Sequence, residues 1–99
     1  MGQKYLVVTY CPATAVGEVI KAMGDAGAGA LGAYRYAAFI TSGIGNWMDP
    51  GATQMTREAE DKIEMVCEEQ SLRGVSEAIK RASPYGKDAT VQAFPLTLI

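Results

Sequence analysis

The chain has 99 residues, 48% of them apolar and 20% charged, with a net charge of −2 at neutral pH. That balance suits one globular domain spanning residues 1–99 and excludes a disordered segment. Nine Lys and Arg scattered among eleven Asp and Glu exclude the basic stripe with interleaved aromatics that a nucleic-acid surface needs. Two cysteines, Cys11 and Cys67, are too few for a disulfide scaffold and fit a reducing compartment as small buried hydrophobes. No apolar run of about 20 residues offers a signal core or a membrane span, so a cytoplasmic location without membrane contact is expected. Met1-Gly2 is not a myristoylation start, because Leu6 stands where Ser or Thr is required.

Tyr5 to Tyr10 is a β-branched and aromatic run, apolar on both faces, and reads as a first strand covered on two sides. From Pro12, taken as a first helical residue, Val16, Val19, Ile20 and Met23 fall on one helix face, and this helix should end near Gly27. Ala33 to Thr41 carries Tyr34, Tyr36 and Phe39 and reads as a second strand, followed by a long turn-rich loop over 42–55. A third strand is expected over Arg57 to Cys67, where Ile63, Met65 and Cys67 alternate with polar residues. Ser71 is the expected cap of a second helix bearing Leu72, Val75, Ile79 and Ala82 on one face, stopped by Pro84. Ala89 to Phe94 supplies a fourth strand.

The order is βαββαβ, and the halves echo each other: a shift of 56 residues superposes Cys11, Val16, Val19 and Met23 on Cys67, Leu72, Val75 and Ile79. This is the split βαβ pattern of a ferredoxin-like α+β domain. Right-handed crossovers then give an antiparallel sheet in the order 4-1-3-2 with both helices on one face. The first strand has no polar side to offer water, so the uncovered face is expected to pack on other copies of the chain.

This topology collects Cys11, Pro12, Trp47 and Tyr85 at one edge and sends Cys67 to the opposite one, too far for a Cys11–Cys67 bridge. Gly27, Gly29 and Gly32 match a G-x-G-x-x-G pattern, but they follow a helix instead of opening one, which marks a turn and not a dinucleotide site. The loop containing Gly43, Gly45, Asn46 and Trp47 has glycines that expose backbone N–H groups and carries the single tryptophan. It is read either as a binding loop or as a hairpin connection whose Trp47 covers a subunit boundary. Tyr85 shares that edge, and Arg81 and Lys87 beside it offer charge to an anionic ligand, against the simpler role of solvated surface cations.

Strand alternation separates Asp61 from Glu58, Glu60 and Glu64, and without His or a close Cys pair no transition-metal site is expected. No base stands beside a nucleophile, so an enzyme is not expected, nor a cofactor. Cys11 at a helix N-terminus leaves a redox-sensing thiol of lowered pKa as a minor alternative.

Several stretches together carry a resemblance to a known family: 26–34, Phe39 through Gly43-Ile44-Gly45, Pro50-Gly51, Ile63-Glu64, Ser83-Pro84-Tyr85 and Phe94-Pro95-Leu96. They resemble the PII-like domain that occurs inserted in NIF-three-like proteins and also alone. The resemblance extends to the PII and CutA proteins and implies a homotrimer with its sheets facing inward. It also implies a regulatory role, in which the loop after the second strand meets a protein partner and a small ligand sits near its base. The chain departs from the family at Ser83-Pro84-Tyr85-Gly86-Lys87, where His-Pro-Tyr-Glu-Glu is usual, so metal-dependent activity is not implied. A scaffolding oligomer with no small ligand is the alternative.

Overall fold

Residues 2–99 are described by the computed structural model; Met1, the first residue of the N-terminal stretch read above, lies outside them. The elements are β1 (Lys4–Pro12), α1 (Val16–Asp25), β2 (Phe39–Trp47), β3 (Thr56–Glu68), α2 (Leu72–Ala82) and β4 (Val91–Leu96). The four strands form one antiparallel sheet in the order β2-β3-β1-β4, the ferredoxin-like order expected from the sequence.

The repeat is structural as well as sequential. Each helix is entered through a single 3₁₀ turn, Ala13–Ala15 before α1 and Glu69–Ser71 before α2, and the two turns are again 56 positions apart. These turns correct two expectations. Pro12 is the extended last residue of β1 and not the first of a helix. Ser71 is already helical in backbone and makes no side-chain capping bond. Its Oγ instead faces Gly27, where a Cβ would come within 2.8 Å of it. Ser83, extended before Pro84, ends α2 as expected.

One face of the sheet carries the core. Val7 and Cys11 of β1 and Ile63, Met65 and Cys67 of β3 pack under Val19 and Met23 of α1 and Val75 and Ile79 of α2. Full burial of each large apolar side chain contributes about 1.5–3 kcal/mol. The alternate residues point the other way: Leu6, Val8 and Tyr10 of β1, Glu64 and Val66 of β3, Phe39 of β2 and Phe94 of β4. Phe39 and Phe94 are 68% and 48% exposed there.

β2 begins later and runs further than its sequence suggests. Residues 33–38 are not strand: Leu31 and Tyr34 exchange backbone hydrogen bonds in a turn, and Tyr36 takes a left-handed φ of 58°. Gly43, Gly45 and Asn46, read above as loop residues, pair in register with Glu60, Glu58 and Arg57 of β3. The long third strand supplies backbone partners that override the low strand preference of glycine. The connection between β2 and β3 is therefore only residues 48–55. β4 likewise starts two residues late, after a 3₁₀ turn at Gly86–Asp88.

Gly27, Gly29 and Gly32 all have positive φ after α1, as a turn requires. Cys11 pairs with Asp61 and Cys67 with Tyr5, six positions apart along the β1–β3 ladder, or roughly 20 Å. Both cysteines are free and buried. Among the described residues, no helix is long and apolar enough to cross a membrane.

Candidate functional site

β1 and β2 end, and β3 and β4 begin, at the same edge of the sheet, where a cleft of ≈ 590 Å³ opens. Tyr10, Trp47, Asp49, Glu60, Tyr85, Asp88 and Thr90 line it. The Trp47 indole, on the last residue of β2, meets the Tyr85 ring edge-on, with centroids 6.2 Å apart and planes at 78°. Tyr85 is positioned by the end of α2: its backbone N–H donates to Ser83 Oγ at 3.1 Å, which turns the chain back over the strand ends.

The carboxylates are held by the aromatic residues themselves. Trp47 Nε1 donates to Asp49 Oδ1 at 3.1 Å, and Thr56 Oγ1 donates to Asp49 Oδ2 at 3.3 Å. Asp49 thus ties the connection between β2 and β3 to both strands. Tyr85 donates to Glu60 Oε2 at 2.7 Å. Gly45 makes room for this contact, because a Cβ at position 45 would lie 2.6 Å from a Glu60 carboxylate oxygen.

The charged residues that line the cleft are all acidic. Burial first, and then Glu60 as hydrogen-bond acceptor and charge, hold the Tyr85 hydroxyl well above the ordinary tyrosine range. The Cys11 thiol is pushed up to about 11 by burial, with Asp61 and Glu60 adding to the effect. This corrects the idea of an activated redox cysteine: the 3₁₀ turn that follows Pro12 does not offset burial beside two acids.

Of the residues singled out from sequence, Trp47 and Tyr85 meet in the cleft, and Gly45 shapes it. Gly43 lies in the sheet opposite Glu60, and Asn46 is exposed with Nδ2 3.7 Å from Met55 Sδ. Arg81 and Lys87 are exposed and outside the lining. The charged residues of the lining are instead Asp49, Glu60 and Asp88. Sequence reasoning missed Tyr10, Asp49, Asp88 and Thr90, and set Glu60 aside with the acidic residues of its strand. Alternation puts Glu60 on one face with Tyr10, whose register partner Lys62 lies two residues further along β3, but only the fold brings Tyr85 to it.

The βαββαβ subunit is ferredoxin-like, and its fold is similar to those of CutA and GlnK proteins. Within that class it resembles, in sequence as well as fold, a domain of the Bacillus cereus protein related to NIF3. The identity is 34% over 96% of this chain, with a TM-score of 0.86. The chain spans 25% of the length of that protein. CutA1 from Oryza sativa is 17% identical over 97% of this chain and 82% of its own, with a TM-score of 0.75. The B. subtilis GlnK–ATP complex is 19% identical over 96% and 83%, with a TM-score of 0.63. These two share the fold. No protein-family model matches the sequence, and no curated protein does.

Proposed function

We propose that this domain is a homotrimeric regulatory module that takes a small ligand in the Trp47–Tyr85 cleft and signals its occupancy to a protein partner. The observation that carries the reading is the position of Asp49: it lines the cleft and also receives hydrogen bonds from both ends of the ribbon that residues 48–55 close. A ligand that engages Asp49 competes with those bonds and changes the ribbon tip, the surface offered to a partner. GlnK, of the same fold, is a protein with bound ATP, which supports a ligand-binding role for this architecture. The two buried, unpaired thiols suit the cytoplasm. We read the module as non-enzymatic: the Tyr85 hydroxyl that meets the Glu60 carboxylate is held well above the ordinary tyrosine range, which makes it a poor nucleophile.

The uncovered sheet face supports the oligomer. Besides Phe94, it carries a mostly apolar hollow lined by Leu6, Leu31, Ala37, Ala38, Phe39 and Val66 together with Glu64. The same face favours the second reading, a scaffold without a small ligand. Light scattering coupled to size exclusion, with Trp47 fluorescence followed across a metabolite panel, separates them. A trimer whose emission responds saturably to one compound supports the module. A trimer whose emission and melting stay unchanged leaves the scaffold, and a monomer removes both.

A further inference from the structure

We infer that the Trp47–Tyr85 cleft selects a small organic ammonium ion, held between aromatic faces and carboxylates. The inference rests on the reading that this cleft is the ligand site, and it assigns the chemical class of the occupant.

The walls come first. Trp47 and Tyr85 stand nearly perpendicular, at 78°, and Tyr10 adds a third aromatic ring to the lining. Aromatic rings lining one cleft offer π-faces that attract an alkylated cation. Both polar tips are engaged as donors: the indole N–H to Asp49 and the phenol O–H to Glu60. A donor bonded to a carboxylate is polarised toward its ring, which strengthens the attraction for a cation.

The charges point the same way. Asp49, Glu60 and Asp88 line the cleft without a lysine or arginine among the described lining residues. A bare anion there meets like charge in the lining, whereas an ammonium ion meets opposite charge and apolar surface together. A volume of ≈ 590 Å³ accommodates an alkylammonium group with the rest of a metabolite attached. A small, strongly hydrated metal ion makes no use of the aromatic walls.

The test uses the intact chain and tetramethylammonium chloride as probe, against sodium chloride at the same ionic strength. The expected result is a saturable change in Trp47 emission and a rise in melting temperature with tetramethylammonium alone. Asp88→Asn, at an exposed turn, and Asp49→Asn should each weaken the response by about tenfold. Trp47→Leu should abolish the rise in melting temperature, with circular dichroism checking that each variant is folded. Saturation by inorganic phosphate or ATP, with none by tetramethylammonium, overturns the ammonium assignment and leaves the ligand site standing. Saturation by magnesium chloride alone does the same. Silence from every probe removes both.

Discussion

Tyr85 reaches across the strand ends to Glu60, its hydroxyl 2.7 Å from a carboxylate oxygen on the fifth residue of the sheet's longest strand. The bond closes one side of the cleft, and Gly45 is small so that the Glu60 side chain can lie over it. Tyr85→Phe removes the donor and leaves Glu60 partly buried without this partner, a loss of about 1–2 kcal/mol. Gly45→Ala pushes the carboxylate off its seat and breaks the same bond. The two changes should therefore be less than additive in urea denaturation, and each should shift Trp47 emission. Full additivity would show that Gly45 and Tyr85 act independently.

Stability should fall on the alkaline side. The Cys11 thiol titrates near its ordinary value of 9.0 once unfolded and only at about 11 when folded. Between those values the folded chain holds more protons than the unfolded one, so unfolding becomes easier as pH rises, by at most about 1.4 kcal/mol per pH unit for one proton. The Tyr85 hydroxyl, also raised, adds a fall of the same sign above the ordinary tyrosine range of 10.0. Melting curves from pH 8 to about 11 should show the decline, and Cys11→Ala should flatten its lower part. An unchanged slope in that variant would locate the effect elsewhere.

Tyr36 packs against Gly24, so a Cβ at position 24 would be driven into its ring. The ring is held there by a left-handed backbone, φ 58°, and by a 2.5 Å hydrogen bond from its hydroxyl to Asp25. Gly24→Ala should cost about 1–3 kcal/mol, the range for overpacking a closed contact. Removing the ring as well, in Gly24→Ala with Tyr36→Ala, should recover part of that loss in the same denaturation assay.

The uncovered face makes its own prediction. Phe94 projects from an edge strand on the face away from both helices and is 48% exposed in the single chain. Phe94→Asp should change the stability of an isolated subunit little, yet lower the solution mass of an assembly that buries this face. Light scattering at equal protein concentration reads the difference. An unaltered oligomer would place the subunit contact elsewhere.

The amino-acid sequence by itself determined the element order, the helix faces and the core. Val19, Met23, Val75 and Ile79 are spaced for one buried stripe per helix, and the 56-residue echo extends even to the 3₁₀ turns. Such patterns are local, and local spacing is what a sequence displays. The tertiary structure alone decided where β2 lies, because Gly43 and Gly45 become strand by pairing in register with residues 60 and 58 of β3, which no local preference encodes. It alone decided the sign of the cleft as well. Lys87 and Arg81 sit near Tyr85 in the chain, but the fold lines the cleft beside it with Asp49, Glu60 and Asp88, and charge acts through space and not along the backbone.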